Sequence, residues 1–232
     1  ATSETVRYSG YISASIEDES LKIKGMEAEN GTLIERFNAS VRDFLYLNRG
    51  ASSGLKAGDL YSIHRRMRVV RHPATGKKVG HRIDTTGIAR ILLVTETSAR
   101  AVVEDSAREI AVGDYLLPLS DLEEPLVRRG VVVDGGDFTI NDPGSAGYVV
   151  DIDDDAFIAS GGISVGVDLG SGAGLSVGRV VTVFRQADSA DSITRRALGA
   201  AVVMTTRQNF ALARLVYSRE EILVGDRVII RP

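Results

Sequence analysis

Gly50-Ala-Ser-Ser-Gly54-Leu-Lys-Ala-Gly58 returns 120 residues later as Gly170-Ser-Gly-Ala-Gly174-Leu-Ser-Val-Gly178. At the same shift Leu47, Asn48, Ile63 and Arg65 meet Val167, Asp168, Val183 and Arg185. Further on the shift falls to 112 residues. There Gly87, Ala89, Ala99, Ala101, Ser106, Glu109 and Ile110 meet Gly199, Ala201, Ala211, Ala213, Ser218, Glu221 and Ile222, and Val112-Gly-Asp114 meets Val224-Gly-Asp226. Two ordered blocks separated by one deletion of eight residues, between Arg65 and Gly87, read as an internal duplication.

The two copies serve as a small alignment. Leu45 and Leu47 pair with Val165 and Val167, while Phe44 and Tyr46 pair with Ser164 and Gly166. Side chains alternate across a strand, so the first pair faces a core and the second parity tolerates polarity. Tyr61 and Ile63 pair with Val181 and Val183 in the same way, and Ala99, Ala101 and Val103 with Ala211, Ala213 and Leu215. The intervening Arg100 and Glu104 meet Leu212 and Val216. Shared period-2 patterns favour strands, although Ala99–Ile110 alone passes for a helix. Ser106–Ile110 and Ser218–Ile222 are each expected to form one short helical turn. The glycine-rich stretches join strands through tight loops, where glycine supplies positive φ and the central Leu55 or Leu175 plugs the end of a barrel.

The expected fold is therefore mainly β: two tandem small β-barrel, or sandwich-like, domains related by internal duplication. Residues 1–120 form the first barrel repeat with an N-terminal extension, and residues 121–232 form a linker and the second repeat. The polar stretch Asp121–Gly130, with Pro125, is the expected junction. A strand at Val131–Val133 and a turn at Asn141–Gly144 would open the second domain.

Composition narrows the function. The 232 residues carry 28 Lys+Arg against 31 Asp+Glu, a net charge of −3. That balance argues against a generic polyanion binder. The absence of cysteine excludes a disulfide framework, thiolate metal sites and thiol catalysis. No apolar run approaches the roughly 18 residues of a membrane-spanning helix. A start at Ala1 without a signal-like stretch reads as a processed or trimmed piece.

His64 aligns with Phe184, so it marks a strand position that accepts an aromatic ring. His72 and His81 flank Pro73-Ala-Thr-Gly76 and face each other across a hairpin, but a metal would want about four ligands and the hairpin offers no carboxylate. No metal or cofactor is expected. Asp151-Ile-Asp-Asp-Asp155 lacks the glycine and distal acid of a calcium loop and reads as a solvated acidic turn. Arg71–Lys78 and Gly170–Gly174 only brush the phosphate-loop and dinucleotide patterns. Asp59 is replaced by Arg179, while Asp114 and Asp226 fit a Gly-Asp turn. No catalytic residue is assigned, so a hydrolase stands last among the readings.

The uneven surface is the hairpin Arg65–Arg82, which contains no acid. Arg66, Arg68, Arg71, Lys77, Lys78 and Arg82 are the candidate partner-binding residues. Such a finger suits an acidic protein surface, a polyanion or a phospholipid headgroup; the bland alternative is a solvated charged hairpin that stays soluble and avoids edge pairing. A nucleic-acid or glycan module would interleave aromatics with these cations, and there are none between Arg65 and Arg82.

Phe44-Leu-Tyr-Leu-Asn-Arg-Gly50, Gly54-Leu-Lys-Ala-Gly58-Asp-Leu-Tyr61, Arg71-His-Pro-Ala-Thr-Gly-Lys-Lys-Val-Gly80 and Ile110-Ala-Val-Gly-Asp-Tyr-Leu-Leu-Pro118 together resemble the carboxy-terminal module of the flagellar assembly protein T family. That module also occurs in LysM-containing proteins associated with the type IV pilus secretin. The resemblance covers the first copy from about Asp43 to Pro118. The second copy keeps its glycines and Val224-Gly-Asp226 but lacks the Pro-x-Thr-Gly turn. The resemblance implies no enzyme. It implies a periplasmic, outer-membrane-associated scaffold whose partner is a secretin or ring component. Peptidoglycan would be reached only through an upstream domain that this sequence does not contain.

Overall fold

The computed structural model describes residues 8–15, 18–27, 38–119, 138–139, 146–153, 156–186 and 194–230. It is mainly β. Among the described residues nine strands precede residue 120: β1 Tyr11–Ser13, β2 Ile23–Glu27, β3 Asn38–Ala39, β4 Phe44–Leu47, β5 Leu60–Arg71, β6 Lys78–Val94, β7 Ala99–Ser106, β8 Ile110–Ala111 and β9 Tyr115–Pro118. Nine follow: β10 Phe138–Thr139, β11 Ala146–Ile152, β12 Ile158–Ala159, β13 Ser164–Val167, β14 Val180–Gln186, β15 Thr194–Thr206, β16 Ala211–Ser218, β17 Ile222–Leu223 and β18 Arg227–Ile230. The expected junction at 121–130, the strand at 131–133 and the turn at 141–144 lie outside the described residues.

The first barrel runs β2-β4-β7-β6-β5-β9. It closes through the bridge Lys22↔Tyr115, beside which Ile23 N–H donates to the Asp114 carbonyl and Leu116 N–H to that of Leu21, both at 2.9 Å. Leu45 and Leu47 are buried opposite Ala101 and Ala99, while Tyr46 between them is exposed, as the alternation requires. Ile23, Leu55, Ile63, Ile91 and Leu116 pack in the same core.

The second barrel follows the same cyclic order, β11-β13-β16-β15-β14-β18, and the β11–β18 ladder closes it. Its core is smaller-limbed, built on Val165, Val167, Val181, Val183, Leu198 and Leu215 around Leu175. Each barrel also carries a two-residue ladder, β3 with β8 and β12 with β17.

The glycine loops act on backbone geometry. In each, a 3₁₀ turn, Ala51–Ser53 or Ser171–Ala173, ends on a glycine in the left-handed region, Gly54 at φ 86° and Gly174 at φ 80°. The glycines that open the turns are needed for space. A Cβ on Gly50 would lie 2.2 Å from the Thr95 carbonyl oxygen, and one on Gly170 2.2 Å from that of Arg207. The expected helical turns at 106–110 and 218–222 are bends instead. Backbone N–H groups there bond sideways to neighbouring strands, Ala107 to Thr86 O at 3.1 Å and Arg219 to Leu198 O at 2.7 Å, so no intra-turn helix bond is made.

The described residues cluster into two compact units that cut across the chain halves. Those numbered between 15 and 67 and between 83 and 119 form one, whereas those numbered 8–14 and 68–82 join the described residues from 138 to 230 in the other. The far end of the β5–β6 hairpin thus packs with the second barrel. Ile12, Val70, Val150, Phe210 and Leu212, with Val79 and Tyr148 against them, form a separate apolar cluster on the barrel's outer side. Val150 and Leu212 have the outward parity, since Val149 and Ala213 face the interior. The apolar outer face is explained by what covers it.

Candidate functional site

Between β5 and β6 the chain turns at Pro73–Gly76. His72 N–H donates to Lys77 O at 2.9 Å and Gly76 N–H to His72 O at 2.8 Å, with Gly76 at φ 66°. Pro73 presets one residue of the turn and Gly76 supplies the positive φ, so a hairpin forms locally.

Its base is held by carboxylates. Arg68 lies 2.9 Å from Asp151 Oδ1 and donates through Nη2 to Ile152 O at 2.5 Å. Arg82 has a side chain only 2% exposed; its Nη1 is 3.4 Å from Asp151 Oδ2 and its Nη2 donates to Asp153 Oδ1 at 2.8 Å and to Ser9 O at 3.2 Å. Burying a guanidinium is tolerated only when its charge and donors find partners, and here two carboxylates and a carbonyl supply them. Burial lifts the Asp151 carboxyl above the ordinary range, and Arg82 and Arg68 pull it part of the way back.

Asp151 and Asp153 therefore do not belong to a solvated turn. They are the acidic half of a clasp whose basic half is the hairpin. Asp154 and Asp155 lie outside the described residues. The sequence held both halves, an acid-free stretch at 65–82 and an acidic run at 151–155, but nothing in it paired them.

His72 belongs to the same docking. Its Nδ1 accepts the Ala74 N–H at 3.2 Å, which leaves the proton on Nε2, 3.2 Å from Asp168 Oδ2. The ring meets the edge of Tyr148 at 4.8 Å between centroids. Among the described residues no three His, Asp or Glu side chains gather as a metal site.

The six candidate cations thus divide. Arg68 and Arg82 face carboxylates at the base. Arg66 is exposed and lies 3.5 Å from Glu19. Arg71, Lys77 and Lys78 flank the turn as an exposed cationic tip, where Arg71 Nη1 donates to Gly76 O at 3.1 Å.

Two further arrangements escaped the sequence reading. Arg65 forks onto Asp114 at 2.7 and 2.8 Å, and Arg185 onto Asp226 at 2.7 Å through both nitrogens. The same aspartates accept backbone N–H groups from Ala111 and Leu223, both at 2.8 Å. All four charged residues stood at matched positions of the two registers, and only their pairing was unseen. The second arrangement is in the first barrel, where Ser62 Oγ lies 2.7 Å from His64 Nε2, the spacing of a nucleophile and a base. The other ring nitrogen meets Thr85 Oγ1 at 3.4 Å, and the buried ring lies against Tyr115. His64 thus occupies the place that Phe184 fills in the second barrel.

Set beside known proteins, the chain matches no family model and no curated protein.

Proposed function

We propose that this chain is a non-enzymatic interaction module of the cell envelope. Its partner would be a secretin or ring component of a pilus or flagellar assembly, and its place the periplasmic side of the outer membrane. The observation that carries the reading is the division of the β5–β6 hairpin. Arg68 and Arg82 are fixed on Asp151 and Asp153, while Arg71, Lys77 and Lys78 stand exposed around one turn. A rigid base under a cationic tip suits recognition of an acidic protein surface, because little side-chain order is lost on binding beyond the tip itself. The glycine loops add support: their glycines are used for positive φ and close backbone approach. So does the likeness of Arg71–Gly80 and Ile110–Pro118 to the flagellar module.

The test is charge reversal at the tip, Arg71→Glu with Lys77→Glu and Lys78→Glu, followed by crosslinked capture from an envelope extract. Capture of the partner should fall at least ten-fold with an unchanged melting temperature. Equal recovery by both chains would end this assignment. Arg68 must be left alone, because reversing it sets two negative charges against each other at Asp151.

A further inference from the structure

The pairing of aromatic rings with a cation, missing from the sequence between Arg65 and Arg82, is made on the outer face of the first barrel. Phe44 and Tyr46 have the outward parity of β4, since Leu45 and Leu47 face the core. Arg100 on β7 stands opposite Tyr46, and Glu27 on β2 stands opposite Phe44. The Arg100 guanidinium lies over the Phe44 ring, 3.9 Å from its centroid, and 5.9 Å from that of Tyr46. Glu27 Oε2 accepts Arg100 Nη2 at 3.0 Å and accepts the Tyr46 hydroxyl as well.

These contacts order side chains that a surface would ordinarily leave mobile, so a ligand has less left to immobilise. Tyr46 is nonetheless 38% exposed, and the Arg100 side chain 31%. Gly25, opposite Tyr46 on β2, sets no side chain beside the ring. Leu93, opposite Arg100 on β6 and exposed, continues the row. The second barrel has Ser164 and Gly166 opposite Arg214 and Leu212, and so offers no ring at the corresponding places.

An aromatic plate beside a planar donor and a carboxylate suits a sugar. A pyranose offers an apolar C–H face for stacking and hydroxyls at its rim for hydrogen bonds. The guanidinium has more N–H donors than its bond to Glu27 uses, and a carboxylate accepts more than two bonds. Small barrels seat oligosaccharides or oligonucleotides on one sheet face. Charge decides between them here. Glu27 repels phosphate, Arg100 is already paired with it, and the net charge is −3. Neighbouring strands lie about 4.8 Å apart, so Tyr46 and Leu93 are separated by roughly 10 Å across the strands. An extended sugar chain reaches both.

We propose that Tyr46, Arg100 and Glu27 form a binding platform for a neutral, extended, β-1,4-linked oligosaccharide. Tyr46 stacks one sugar ring, Arg100 donates to its hydroxyls, Glu27 accepts from them, and Leu93 touches the next ring. None of these residues belongs to the hairpin, so the platform stands or falls independently of the envelope partner.

The test titrates the full chain with cellohexaose, chitohexaose and maltoheptaose by isothermal calorimetry, and with a twelve-residue oligothymidylate as the acidic probe. Cellohexaose or chitohexaose should bind saturably, and the coiled, α-1,4-linked maltoheptaose at least ten-fold more weakly. Tyr46→Ala should lose ten-fold or more in affinity with its urea midpoint little changed. Tyr46→Phe, which keeps the plate, should lose less. The Arg71→Glu, Lys77→Glu, Lys78→Glu chain should bind sugar as wild type does. Binding of neither extended sugar, equal affinity for maltoheptaose, or equal binding by wild type and Tyr46→Ala would overturn the platform. So would oligothymidylate binding that depends on Tyr46, which would make this face a seat for single-stranded nucleic acid.

Discussion

On the outside of the first barrel Gly25 lies opposite Tyr46, Tyr46 opposite Arg100, and Arg100 opposite Leu93. The same row in the second barrel reads Asp151, Gly166, Leu212 and Thr205. The first row faces solvent. Tyr46 bonds Glu27, Arg100 stacks on Phe44 at 3.9 Å, and Leu93 is 62% exposed. Every member of the second row meets the hairpin or the segment Gly10–Ser13: Asp151 takes Arg68 and Arg82, Gly166 makes room for Ile12, Leu212 joins the Ile12–Val70 cluster, and Thr205 Oγ1 donates to Gly10 O at 3.0 Å. Two barrels with one strand order thus differ in whether a face is open or occupied. The exchange of a bulky for an absent side chain at one position, and the reverse beside it, sets that difference.

The sharpest way to break the comparison is at Arg82. Arg82→Ala strips Asp151 of its fully buried counter-charge and Asp153 of its 2.8 Å partner, and should cost about 3–5 kcal/mol in urea unfolding of the unit containing the second barrel. Arg90→Ala, on the same strand β6, is the control. Its pair with Glu104 is exposed on both sides and is worth only about 0–1 kcal/mol. Equal costs for the two would mean that the clasp is no stronger than a surface pair.

Swapping the row is the next test. Gly166→Tyr gives the second barrel the side chain of the first. Its Cβ alone would stand 2.5 Å from Ile12 Cδ1 and 2.9 Å from Asp151 Cβ. The expected cost is about 1–3 kcal/mol, with release of β1 seen as faster amide exchange at Tyr11–Ser13. Tyr46→Gly in the first barrel removes an exposed ring from a strand and should cost only about 1 kcal/mol. If Gly166→Tyr proved the milder change, the glycine would not be there to admit Ile12.

The mainly β fold and the inward faces were legible because alternation appeared in two registers of one sequence. Leu45, Leu47, Val165 and Val167 needed no coordinates. Legibility ended where a residue's role depends on something distant in the chain. Leu212 and Gly166 looked merely tolerant, since what occupies them is Ile12, far upstream. Asp151 and Asp153 looked solvated for the same reason, because Arg68 and Arg82 reach them only after folding. The hairpin was visible as an acid-free stretch, but its division into a fixed base and an exposed tip was not. Charge composition counts cations without saying which are already matched.

Asp151 offers the smallest effect and the finest discrimination, because the first barrel has Gly25 in its place and nothing there titrates. Burial raises the Asp151 carboxyl above its ordinary value of 3.8, against the pull of Arg82 and Arg68 and with the help of neighbouring Asp153. A raised value means that the folded chain holds this proton more tightly than the unfolded chain does. The contribution of Asp151 to stability is then fully present below 3.8 and is lost as pH rises through the higher folded value. Wild type should therefore gain on Asp151→Asn as pH falls through the carboxylate range, measured as the difference between their urea midpoints from neutral pH downward. A carboxylate governed by its ion pairs would do the opposite and lose ground on acidification. That second outcome would make Arg68 and Arg82 the dominant influence on the group. The clasp would then hold by attraction outright, with burial of the acid the lesser cost beneath the hairpin.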